Sequence, residues 1–152
     1  RPLLVEVQAL AAKSGFGTPQ RVSNGFDSRR LAMLLAVLER RAGLTCSSLD
    51  IFLNVVGGAR LQEPAGDLAI AAALASSIND RPVKPDTVFI GEIGLGGEVR
   101  PVSQVERRLS EADKMGMRSA FISKRSVPAR TPKSMRVFGI ETVQDVFEAF
   151  AS

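Results

Sequence analysis

The 152-residue chain contains no histidine, no tryptophan and no tyrosine, and its only cysteine is Cys46. Without histidine there is no Ser-His-Asp triad, no Cys-His pair and no His-ligated zinc. One cysteine excludes a disulfide framework and a cysteine-rich metal site, and it suits a reducing, cytoplasmic setting. No apolar run is long enough to span a bilayer and no signal-peptide pattern is present, so a soluble protein with no membrane partner is expected. The routes to hydrolysis left open are a Ser-Lys or Thr dyad, paired carboxylates, or a carboxylate-held metal. The chain begins Arg1-Pro2 without Met and runs straight into a strand pattern, as expected of a fragment of something longer.

The length fits one domain over residues 1–152, and an apolar content of 45% is enough for a core. Net charge is +4, with 15 arginines against 5 lysines. Arginine suits bidentate contact with phosphate or carboxylate, which points toward a nucleic-acid partner, although an ordinary basic surface gives the same totals.

"LLVEVQAL" (3–10) alternates like a half-buried strand, and a loop rich in turn formers follows. A helix is expected over 27–43, with Leu31, Leu34, Leu35, Leu38 and Ala42 on one stripe, Asp27 or Ser28 as cap and Gly43 at its end. A buried strand (49–56) leads through a glycine turn into a small-residue helix (66–80). "TVFIGEIG" and "GEVRPV" flank Gly96-Gly97 as a hairpin. A third helix spans 103–116, where Ser103 and Glu106 have capping-box spacing. Strands at 119–123 and 135–140 and a helix at 141–150 close the chain. The expected class is α/β (α+β), a mixed β-sheet with packed helices.

The stretch "VVGGARLQEPAGDLAIAAALASS" (55–77) has the layout of a phosphate cradle or a nucleophile elbow. A phosphate loop needs lysine and Ser/Thr at the helix start, whereas this turn offers Glu63, Pro64, Ala65, Gly66 and Asp67. A nucleophile elbow needs Ser, Thr or Cys at the corner, and none occurs between Val55 and Ala75. Ser76 and Ser77 come too late in the helix for that role and suit packing. Glu63 and Asp67 are conceivable metal ligands, but acids at a helix start also serve the helix dipole.

"NVVGGARLQEPAGDLAIAAALASS" followed by "GEIGLGGEVRPVSQVERRLSEADKMG" resembles the proteolytic domain of the Lon family, a ribosomal protein S5 domain 2-like fold. The wording "EVQAL" (6–10), "VVGG" (55–58), "EPAGDLA" (63–69) and "GEVRPV" (97–102) is closer to the C-terminal Lon-like domain of the bacterial RadA (Sms) family of DNA-repair proteins. This resemblance runs from about Leu3 to Lys124. It implies that the serine of the Lon dyad is replaced here by Gly66 and its lysine by Glu106, so that the domain is a pseudo-protease and this fragment is not an enzyme. Two alternatives remain open, an unconventional dyad of Ser76 with Lys114, and carboxylate or phosphate binding in the vestigial cleft with Arg60 and Arg100.

The charges offer a second route to function. Residues 114–136 hold seven basic side chains and no acid, among them Lys124, Arg125 and Arg130. A second group comprises Arg21, Arg29, Arg30, Arg40 and Arg41. The first-turn pair Arg29 and Arg30 opposes the helix dipole, which suggests an anionic partner. With no recognition-helix pattern, and only Phe16 and Phe26 in loops for stacking, DNA contact is expected to be electrostatic and sequence-independent. The alternative is a purely structural oligomerisation domain whose basic face only keeps it soluble. The resemblance further implies a longer protein of zinc finger, RecA-like ATPase and Lon-like domain, assembling as a homo-hexamer on double-stranded or branched DNA. The fragment itself has no Walker motif and no cofactor; ATP, Mg and Zn would belong to the missing domains.

Overall fold

A computed structural model describes residues 4–151; the expected first strand begins at Leu3, outside the described residues. Three α-helices form among them: α1 (Ser28–Ala42), α2 (Asp67–Asn79) and α3 (Val105–Lys114). Asp27 caps α1 by accepting the Arg29 N–H at 3.2 Å, and Gly43 ends it in the left-handed conformation (φ 71°), which costs glycine little. All five residues of the expected apolar stripe are buried, and Val37 joins them.

Strands β1 (Val7–Lys13), β2 (Arg21–Asn24) and β3 (Leu49–Val55) form a sheet ordered β1-β3-β2. β1 is antiparallel to β3, with Val7 opposite Val55, and β2 is parallel to it, with Arg21 opposite Ile51. The second sheet is wholly parallel, ordered β4 (Thr87–Ile90), β7 (Ser119–Ser123), β8 (Arg136–Ile140). Phe89, Phe121 and Phe138 stand in register across it and stack at centroid distances of 5.5 and 4.8 Å. β5 (Glu92–Ile93) and β6 (Val99–Arg100) make an antiparallel ribbon. α2 is apolar nearly all round, and its small side chains let β1 and β4 lie close beside it.

The mixed α/β class holds, but the expected single sheet is two sheets and a ribbon. The division of the ribbon from the second sheet falls at Gly91, whose N–H donates to Ala65 O (2.9 Å) and whose carbonyl accepts the Leu68 N–H (3.0 Å). Bonded to the start of α2, Gly91 takes the chain out of β4 before the ribbon begins.

Three further expectations change. Residues 21–24 read as loop in the sequence, because "RVSN" is an edge segment with three exposed residues and no apolar alternation; pairing to β3 makes them a strand. The capping box at Ser103-x-x-Glu106 does not form: Gln104 sits in the left-handed region (φ 57°) at the N-cap with no side-chain cap, and Ser103 precedes it. Instead Thr142 and Asp145 make a capping box, at the start of a 3-10 segment (Val143–Ala149) that replaces the expected α-helix. Three residues per turn place Val143, Val146 and Ala149 in line, and all three are buried.

A large core fills the space between α1, α2, β3, the ribbon and the 3-10 segment. A smaller one, with Leu109, Ala112, Ala120 and Ile122, lies under α3.

Candidate functional site

Beside the N-terminus of α2 runs a groove of about 830 Å³. Val5–Val7 and Thr87–Ile90 form its walls, Ala69, Ala72 and Ala73 its floor, and Arg108 and Glu111 of α3 its rim. Gly66, at the position the resemblance assigns to serine, lines it. A Cβ built on Gly66 would lie 2.7 Å from Leu61 Cδ2, so the Leu61 side chain takes the space of a side chain at 66. Among the described residues the only side-chain hydroxyl lining the groove is that of Thr87, whose Oγ1 donates to Lys84 O at 2.8 Å. No described lysine, histidine or cysteine lines it. Glu106, at the position assigned to lysine, is exposed and enters none of the ion pairs among the described residues.

The two carboxylates of the turn are both engaged. Glu63 pairs with Arg108. Asp67, fully buried at the first position of α2, receives both Nε and Nη2 of Arg30, the former at 2.7 Å, and accepts the Ile93 N–H at 3.0 Å. The hydrogen bond to Asp67 raises the Arg30 pKa further above its already high value. Arg30 also approaches Glu92 at 4.0 Å; Glu92 lies 4.0 Å from Arg100, which bonds Glu98 at 2.9 Å. A chain of alternating charges thus ties α1, α2 and the ribbon together. Asp67 does more than serve a helix dipole, because its backbone and side-chain partners hold three elements in place.

The late serines are engaged in packing as expected. Ser76 Oγ donates to Arg81 O at 2.5 Å, and Ser77 Oγ accepts the Ala11 N–H at 2.9 Å. Cys46 is buried; burial, with Glu39 beside it, pushes its thiol up to about 11, which keeps it unreactive.

The basic residues fall into separate sets. Arg21, Arg29, Arg30, Arg40 and Arg41 belong to β2 and α1, whereas Lys124, Arg125 and Arg130 lie on the connection from β7 to β8, beside the other sheet. Several are already occupied: Arg30 by Asp67, Lys124 by Glu141 at 3.1 Å, and Arg21 Nη2 by Cys46 O at 3.0 Å. Arg41 Nε reaches Leu95 O at 3.4 Å. The anion suggested by the charge at Arg30 is therefore internal, and the partner is Asp67. Arg29, Arg40, Arg125 and Arg130 are exposed and enter none of the ion pairs among the described residues.

Arg29 and Arg40 are eleven residues apart on α1, so they share a face about 16 Å apart. Ala32 and Ala36, also exposed, fall between them. Taken one by one, these arginines do not reveal the stripe; the i, i+3, i+7, i+11 spacing is the signal that finds it. Phe26, expected as a loop stacking group, is 7% exposed and belongs to the core, whereas Phe16 is fully exposed.

Residues 27–126 match the family described as subunit ChlI of Mg-chelatase, and the chain belongs to that family. It is 46% identical over 150 residues to DNA repair protein RadA of Escherichia coli, covering 99% of this chain and 33% of the relative. The same-named protein of Streptococcus pneumoniae is 44% identical over 149 residues, with coverages of 97% and 36%. That of a Synechocystis species is 51% identical over 124 residues, with coverages of 82% and 25%. The chain spans about a third of the length of the curated relatives with which it aligns almost throughout. No helix among the described residues is long and apolar enough to cross a membrane.

Proposed function

We propose that this chain is the catalytically inactive, Lon-like part of a RadA-type DNA repair and recombination ATPase. In this reading it braces a homo-hexameric ring and holds double-stranded or branched DNA without reading its sequence. The DNA-repair names of its relatives support the setting. Inactivity is supported by the groove, where Leu61 crowds Gly66 and the lysine position carries an exposed glutamate. The hexamer, the neighbouring ATPase domain as partner, and the cytoplasmic location follow from the resemblance. ATP, magnesium and zinc belong to the other domains of the longer protein, and this part works without a cofactor.

The observation that carries DNA binding is the solvent face of α1. Two exposed arginines about 16 Å apart, with only alanines between, can lie along a phosphate backbone without steric hindrance. Each phosphate neutralised releases counterions, so affinity must fall steeply as salt rises. Fluorescence anisotropy of a labelled duplex, titrated with the protein at several salt concentrations, tests this. Steep salt dependence, with no cleavage of a fluorogenic peptide in parallel, is the expected result. Absence of binding at low salt would leave a purely structural oligomerisation domain.

A further inference from the structure

Phe16 is the one phenylalanine of the eight that no packing explains. The other seven are buried or half-buried, while Phe16 is fully exposed on the β1–β2 loop. Gly15 and Gly17 flank it, and Gly17 has a left-handed φ of 79°. Both ends of the loop are pinned: the Ser14 N–H donates to Ser48 O at 3.3 Å, and the Gln20 N–H to Asp50 Oδ1 at 2.7 Å. The aromatic ring is thus carried on a fixed base with a glycine on each side of it.

A cation stands at each end of the loop. Residues 7–26 contain no aspartate or glutamate, and Lys13 and Arg21 bracket the loop. Arg21 is anchored on Cys46 O, and Cys46 N–H donates at 3.0 Å to Glu39 of α1. Of the acids at this end, Asp50 and Glu39 are each committed to a backbone N–H, on Gln20 and Cys46. A bare aromatic ring on a loop bracketed by Lys13 and Arg21 suits a nucleic acid whose phosphates meet these cations while a base meets the ring.

We infer that Phe16 is a stacking residue for an unpaired nucleobase, placed at the edge of the DNA that the cations hold. This rests on the DNA-binding reading above and deepens it: the loop gives the domain a preference for gaps, flaps and branch points over flush duplex. One phenylalanine reads only that a base is unstacked, so the preference is for structure and not for sequence.

The chain has no tryptophan, so Phe16→Trp places a single fluorophore at the proposed contact. Titrating this variant with a duplex carrying a short single-stranded gap is expected to quench the tryptophan, and flush duplex is expected to leave it bright. In anisotropy, Phe16→Ala is expected to weaken binding to the gapped DNA about tenfold while leaving flush-duplex affinity within about twofold. Binding of both DNAs with no quenching and no weakening in Phe16→Ala overturns the stacking role and leaves the DNA reading intact. Binding of neither DNA overturns both. A blue shift on anionic lipid vesicles with no response to gapped DNA overturns the inference in favour of a membrane surface.

Discussion

The two ends of α1 handle positive charge in opposite ways. In its first turn Arg30 faces inward and is bound by the fully buried Asp67 of α2, while in its last turn the exposed Arg40 stands beside the helix's negative end and enters none of the ion pairs among the described residues. The first arrangement works against the helix dipole and needs a buried carboxylate to hold it; the second is favoured by the dipole and needs nothing else. An arginine that is locally misplaced can therefore be structural, and one that is locally comfortable is free to serve a ligand. The contrast extends across the fold. Around the start of α2 the charges are consumed by one another, through Arg30, Asp67, Glu92, Arg100 and Glu98, with Glu63 and Arg108 nearby.

Removing Arg30 gives the largest expected effect. Arg30→Ala leaves Asp67 buried with only the Ile93 N–H, which should destabilise the domain by about 3 kcal/mol. Without tryptophan or tyrosine the unfolding is best followed by circular dichroism in urea. A decrease below about 1 kcal/mol would mean that Arg30 belongs with the free cations after all. Arg29→Ala, one residue away, should leave stability unchanged.

An intermediate effect is expected at the other end of the helix. Arg40→Ala should lower the slope of log affinity against log salt by about one, for the phosphate no longer neutralised, with no change in stability. Comparing this variant with Arg29→Ala tells whether DNA lies along the whole α1 face or only at its C-terminal end. An unchanged slope in both would move the DNA to Arg125 and Arg130 on the β7–β8 connection.

The smallest effect concerns the brace between α1 and the loop that carries Cys46. The Cys46 N–H donates to Glu39 and lowers its pKa below the usual carboxylate range. A carboxylate more acidic in the folded state stabilises the fold above its unfolded pKa, and that contribution disappears as pH falls through the folded value. Thermal unfolding of Glu39→Gln should therefore show its greatest deficit near neutral pH and converge with the parent in acid. A deficit that grows on acidification would show that Glu39 is not the brace.

Local chemistry made much of the fold legible. The α1 stripe, its aspartate cap and glycine end, and the small-residue helix all follow from side chains within a few positions of one another. That Gly66 and Glu106 occupy the two positions where the resemblance places the Lon dyad was also readable, since each is a single residue type at a motif position. Less legible was what packs around the turn. Leu61 reaches Gly66 from outside the helix, and Arg30 reaches Asp67 across 37 positions, so neither approach leaves a sequence period.

By itself, then, the sequence determined α1 with its cap and glycine end, the small-residue helix α2 and the absence of histidine-based chemistry, because each is set by residue identity or by spacing within one element. Only the tertiary structure decided that "RVSN" is a strand, that Gln104 rather than Ser103 stands at the N-cap of α3, and which arginines remain free. Those outcomes depend on pairing and burial between segments far apart in the chain. A charge is available to a ligand only if no buried partner has already claimed it, and that partner is chosen by the fold.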